Sequence, residues 1–215
     1  MAEKIKMFVD DYFIDNLLRF RTRDECRQNL RKLYCCNLFG KQWLFATNGK
    51  VLAGIPIEPL TLQTGAEYAV CGKEPQFDLQ LDDYVEIRQT RFKPTSIHLQ
   101  IQRIVEKISE TVEQKKKPAF KIKHIGFEYV LKTLLQKKQT FPARTFKYVD
   151  LDRPIVNPLL LASAPEIKYD VYEGIKILDS VYEYTLFYNK CFLMFCAGVA
   201  GYRSELLKIF KKERK

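Results

Sequence analysis

Histidine is nearly absent from this chain: His98 and His124 are the only two in 215 residues. The six cysteines, Cys26, Cys35, Cys36, Cys71, Cys191 and Cys196, form no C-x-x-C pair. Zinc sites draw on closely spaced thiolates and imidazoles, so the sequence predicts no metal centre. Buried free thiols in a reducing cytosol account for cysteines set in apolar runs such as "LYCCNLF". Long hydrophobic runs are missing too. The longest, "CFLMFCAGVAGY", falls short of the roughly 20 residues that a membrane helix needs. The opening "MAEKIKMFVDDYF" is charged and has no apolar signal core. The expectation is a cytoplasmic protein with no membrane partner. No G-x-G-x-x-G, Walker A loop or G-x-S-x-G elbow occurs, and no cofactor is expected.

What is present is charge of one sign. The chain carries 36 Lys and Arg against 26 Asp and Glu, a net +10. Such a surplus favours a polyanionic partner, nucleic acid above all. With 47% hydrophobic residues the chain has enough apolar side chains for a folded core.

The hydrophobic pattern predicts an α+β protein. Ile14, Leu17 and Leu18 repeat at helical spacing within residues 11–22. "KLYCCNLF", "WLFATN" and "VLAGIPIE" follow as three strands of an antiparallel meander, with Asn48-Gly49 read as a two-residue hairpin turn. Pro56 marks an edge or a strand end. "AEYAVCG" and "DDYVEIRQTRF" read as further strands, and "IHLQIQRIVEKISETVEQ" as a helix capped by Thr95 or Ser96. "AFKIKHI" reads as a strand and "FEYVLKTLLQKK" as an amphipathic helix. "TFKYVDLD", "NPLLLAS", "YEYTLFYN" and "CFLMFCAG" complete the strands, while "APEIKYDVYEGIKILDS" reads as a loop or short helix.

Two runs carry a family resemblance. Arg23-Asp24-Glu25-Cys26-Arg27-Gln28-Asn29-Leu30 and Phe45-Ala46-Thr47-Asn48-Gly49-Lys50-Val51-Leu52-Ala53 resemble a signature of the middle domain of the bacterial β sliding clamp. That family carries a run close to R-D-E-x-R-x-x-L, a strand, and then V-A-T-D-G-H-R-L-A. Asn48, Lys50 and Val51 depart from it. "FKIKHIGFEYVLKTLL" is similar to the strand, glycine and helix that open the second half of a clamp domain. The resemblance implies a clamp-type domain: two helices on a curved, mostly antiparallel sheet. Residues 1–215 would be one enlarged domain, with 75–118 an inserted helical segment and 201–215 a basic C-terminal helix or tail. A family clamp chain has three such domains, so a ring would need several copies of this chain.

The resemblance also implies function without catalysis. Clamp helices offer cations to duplex DNA without reading sequence. Arg19, Arg21 and Arg23 around the first helix, and Lys132, Lys137 and Lys138 on the second, are the matching candidates. Lys115, Lys116 and Lys117 form a further cluster. Peptide motifs of polymerase or clamp-loader subunits would dock in a pocket built from Leu30, Thr47, Gly49, Lys50, Val51, Leu52 and Phe127. The expected role is thus a DNA polymerase processivity factor, not an enzyme, with homo-oligomerisation if a ring closes. The alternatives are a basic nucleic-acid-binding regulatory module that forms no ring, and a metal-dependent nuclease. For the nuclease, Asp10-Asp11 and Asp82-Asp83 supply acids, but adjacent acids on a strand point to opposite faces.

Overall fold

The computed structural model describes residues 4–9, 11–22, 24–58, 60–71, 82–91, 94–115, 117–122, 164–177 and 183–197. The helix expected at 127–138, the strands "TFKYVDLD" and "NPLLLAS", and residues 201–215 lie outside the described residues. The protein is α+β, with mostly antiparallel strands and few helices. It divides into two compact units, one of residues 1–116 with 190–193, the other of 117–189 with 194–215.

Among its described residues the first unit holds six strands and three helical segments. β1 spans Lys4–Phe8, β2 Leu33–Leu38, β3 Lys41–Thr47, β4 Val51–Pro56, β5 Glu67–Val70 and β6 Tyr84–Arg91. Their order is β1-β6-β5-β2-β3-β4, and the neighbours pair antiparallel. β2, β3 and β4 are near-continuous apolar runs because both faces are covered: Leu33, Tyr34, Cys35, Cys36, Trp43, Leu44, Phe45 and Ala46 are all buried. Phe39 and Gly40, with φ of 52° and 73°, join β2 to β3 between the paired Leu38 and Lys41. This is the tight two-residue turn with both positions at positive φ, found at Phe-Gly rather than at Asn-Gly.

α1 (Ile14–Leu18) is short and buries the three residues of its apolar stripe. Phe20 and Arg21 close it with i→i−3 bonds to Leu17 and Leu18. Phe20 then packs on Phe192, with ring centroids 6.0 Å apart. The charged run after it, which carries no helical pattern, forms a 3₁₀ segment at Glu25–Arg31. α2 (Ser96–Lys115) buries His98, Ile101, Val105, Ile108 and Thr111, the stripe that a 3.6-residue period places on one face, and packs on β2. Thr95 is its cap: its hydroxyl accepts from His98 N at 3.3 Å.

One buried carboxylate joins these pieces. The Glu67 side chain is 0% exposed. Its Oε2 accepts from Lys32 Nζ at 3.0 Å, just before β2, and its Oε1 accepts from Thr95 N at 3.1 Å, at the start of α2. Burial pushes the Glu67 carboxyl up, but the Thr95 and Lys32 hydrogen bonds and the Lys32 charge outweigh it, and the group titrates below its ordinary value.

Among the described residues the second unit holds β7 (Phe120–Ile122), β8 (Tyr169–Lys176), β9 (Glu183–Tyr188) and all but the first residue of β10 (Leu193–Ala197), adjacent in that order. Tyr184 and Phe195 stack with centroids 4.9 Å apart. β8 corrects the expectation of a loop or short helix in "APEIKYDVYEGIKILDS". A register shift between Tyr172 and Ile175, with Gly174 at φ 65°, breaks the two-residue alternation that would reveal a strand.

Replacing Glu67 by Gln tests the tie in the first unit. A carboxylate with a lowered folded pKa stabilises above its unfolded value and loses that contribution as pH falls through the folded one. Glu67→Gln is expected to cost about 2 kcal/mol at neutral pH. Its stability should also fall less between neutral and acid pH than that of the parent, as read by urea titrations across that range.

Candidate functional site

The candidate site is the hairpin between β3 and β4. Thr47 pairs with Leu52, so four residues lie between the last paired positions, not two. Only Gly49 among them has positive φ, at 87°. Asn48 acts through its side chain instead: Oδ1 accepts from Lys50 N at 2.9 Å and from Val51 N at 3.0 Å. A carboxylate oxygen could make the same two bonds, so an aspartate would close this turn in the same way. Thr47 Oγ1 donates to Val51 O at 2.7 Å and accepts from Gly49 N at 3.0 Å. The turn is therefore fixed by four side chain–backbone bonds.

The 3₁₀ segment brings Leu30 to this turn. Asp24 caps it by accepting from Cys26 N at 2.9 Å. Its far end is stitched down by Thr22 N on Leu30 O, by Arg21 Nη1 on Arg31 O at 2.9 Å, and by the Tyr34 hydroxyl on Asn29 O. Leu30 Cδ1 then lies 3.5 Å from the place a Cβ would occupy on Gly49. Two runs far apart in sequence, the 3₁₀ segment and the β3–β4 turn, thus meet in space.

The expected pocket residues divide. Leu30 is half-buried and Lys50 exposed. Thr47, Val51 and Leu52 are buried, and Leu52 is core by its 4% exposure. Phe127 lies outside the described residues.

The expected DNA-facing cations divide as well. Arg21 is 7% exposed, and its guanidinium holds the 3₁₀ segment. It does not face outward as expected, because the tight turn after α1 carries it inside. Arg19 Nη2 lies 3.9 Å from the Asp15 carboxylate, one helical turn back. Arg23, Lys132, Lys137 and Lys138 lie outside the described residues, as does Lys116, while Lys115 and Lys117 are exposed.

Cys36 has a partner that sequence reasoning missed. Its Sγ lies 3.4 Å from His98 Nε2. Burial pushes the Cys36 thiol up to about 12 and pulls His98 down, so the pair holds a neutral thiol and a neutral imidazole inside the core. A thiolate nucleophile is not available from it at neutral pH. Among the described residues no three His, Cys, Asp or Glu side chains converge in a way that could hold a metal ion. None of the described helices is long and apolar enough to cross a membrane. Sequence reasoning also passed over Phe8 and Tyr84, which are exposed; the alternation of Lys4, Lys6 and Phe8 in β1 was the available signal.

Fold and site together define an α+β protein with a mostly antiparallel sheet and a side chain-locked hairpin. No family model, curated protein or solved structure matches the chain.

The hairpin bonds predict a measurable loss. Thr47→Val keeps the shape and removes both Oγ1 bonds. It should destabilise the protein by about 1–2 kcal/mol in chemical denaturation. It should also speed amide exchange at Gly49, whose N–H loses its acceptor.

Proposed function

We propose that the protein is a sliding-clamp-like DNA polymerase processivity factor. It binds duplex DNA without sequence preference and docks partner peptides beside the β3–β4 hairpin. The observation that carries this reading is the meeting of Leu30 with Gly49, which assembles both halves of the clamp-like signature at one place. The net charge of +10 supports a duplex partner. The antiparallel α+β architecture agrees with a clamp-type domain. A half-buried leucine beside an exposed lysine suits short peptides with an apolar anchor and an acidic flank. The protein does no chemistry in this role; it tethers.

A second reading, a basic nucleic-acid-binding module that forms no ring, is favoured by one observation. Arg21 holds the fold and Arg19 lies near Asp15, so the first helix offers fewer outward cations than a clamp face would. Size-exclusion with light scattering separates the two. A ring-sized oligomer supports the clamp, and a persistent monomer that binds linear DNA in a salt-sensitive way supports the module.

The docking claim is tested by a panel of short polymerase and clamp-loader peptides. Leu52→Ala removes a core side chain at about 2–5 kcal/mol, so loss of binding there is ambiguous on its own. Leu30→Ala and Lys50→Glu change less buried side chains and keep the fold. Each should weaken peptide binding by about tenfold, the scale of one modest contact, and leave duplex DNA binding within twofold. Peptide binding unchanged in both variants removes the docking site.

A further inference from the structure

A second surface of the first unit is not used by the docking hairpin. In the β1–β6 register Lys4 lies opposite Arg88, Lys6 opposite Glu86, and Phe8 opposite Tyr84. Residues directly opposite in an antiparallel pair project to the same face. The alternate residues Met7, Val85 and Ile87 are buried on the other face. The outward face therefore carries three cations, one carboxylate and two aromatic rings.

Those rings are unusual in their setting. Phe8 is 41% and Tyr84 45% exposed. Their centroids are 5.8 Å apart and their planes tilt by 57°. Lys6 Nζ lies 4.2 Å from the Tyr84 ring centroid, a cation–π contact that keeps an ammonium beside the rings. Lys4 Nζ pairs at 2.8 Å with Glu86, the acid on this face of the β1–β6 ladder. Lysines alone are enough to protect a sheet edge from unwanted pairing. Two adjacent exposed rings do not serve that purpose, and they forgo the gain from burial.

We propose that this face binds single-stranded DNA, with Phe8 and Tyr84 stacking on bases and Lys6 and Arg88 meeting the phosphates. Cations beside exposed rings fit a strand whose charge and base faces are both accessible. A duplex presents its charge but hides its base faces, so it engages the cations alone. The site is separate from the hairpin, and neither depends on the other.

The test is fluorescence anisotropy of the full chain with labelled oligothymidylate of about 12 nucleotides, a usual length for such sites. Phe8→Ala/Tyr84→Ala should weaken binding at least tenfold, with circular dichroism and duplex binding unchanged. Phe8→Trp should retain binding. Lys6→Gln should reduce the salt slope by about 0.7, the contribution of one phosphate contact to a single strand. Four outcomes overturn the proposal: no binding of the oligonucleotide by the parent chain, equal binding by the double variant, tighter binding of oligouridylate, or an equal loss of duplex binding. A double variant that changes oligomeric state in light scattering, with DNA binding intact, also overturns it and assigns the rings to contact between copies. Leu30→Ala should bind the oligonucleotide as the parent does, which separates failure here from failure at the hairpin.

Discussion

The first unit depends on the buried Glu67 carboxylate. It reaches the residue before β2 through Lys32 and the cap of α2 through Thr95 N. A carboxylate with no exposed surface is costly unless its oxygens are satisfied. Here an ammonium and a backbone N–H each satisfy one oxygen, and the arrangement sets where three elements meet. α2 then lays its apolar stripe on β2, and His98 fits against Tyr34, with ring centroids 5.4 Å apart. The residues expected as an insertion, 75–118, thus contribute β6 and α2 to the packed unit.

The hairpin shows the same economy on a smaller scale. Two short polar side chains, Thr47 and Asn48, account for its closure. The 3₁₀ segment, with no residue of its own fully buried, is held by neighbours on its flanks and delivers one leucine to the turn. Polar bonds fix the geometry, and a half-buried apolar side chain lies against the turn they hold.

Much of this was legible in the sequence, and the remainder has physical reasons for being hidden. The meander, α1, α2 and the Thr95 cap follow from apolar period and capping chemistry. β8 was hidden by its bulge, which interrupts the alternation that would mark it as a strand. The turn at Asn48-Gly49 was placed correctly, but its type was not: an asparagine can serve by positive φ or by its side-chain oxygen, and the sequence does not distinguish them. Arg21 looked like a surface cation because charge says nothing of a turn that carries the side chain inward. The Glu67 tie and the Cys36–His98 pair join residues far apart in the chain, and nothing local marks them.

β1 pairs with a strand far along the chain: Lys4 and Glu86 are separated by 82 positions. The β2–β3–β4 meander closes through short loops, whereas the β1–β6 ladder must first bear the entropy of a long one. β1 is therefore expected among the last strands to dock during folding and the first to fray at equilibrium. Any partner lying across β1 and β6 would act as a clasp, slowing the loss of the strand on which it rests.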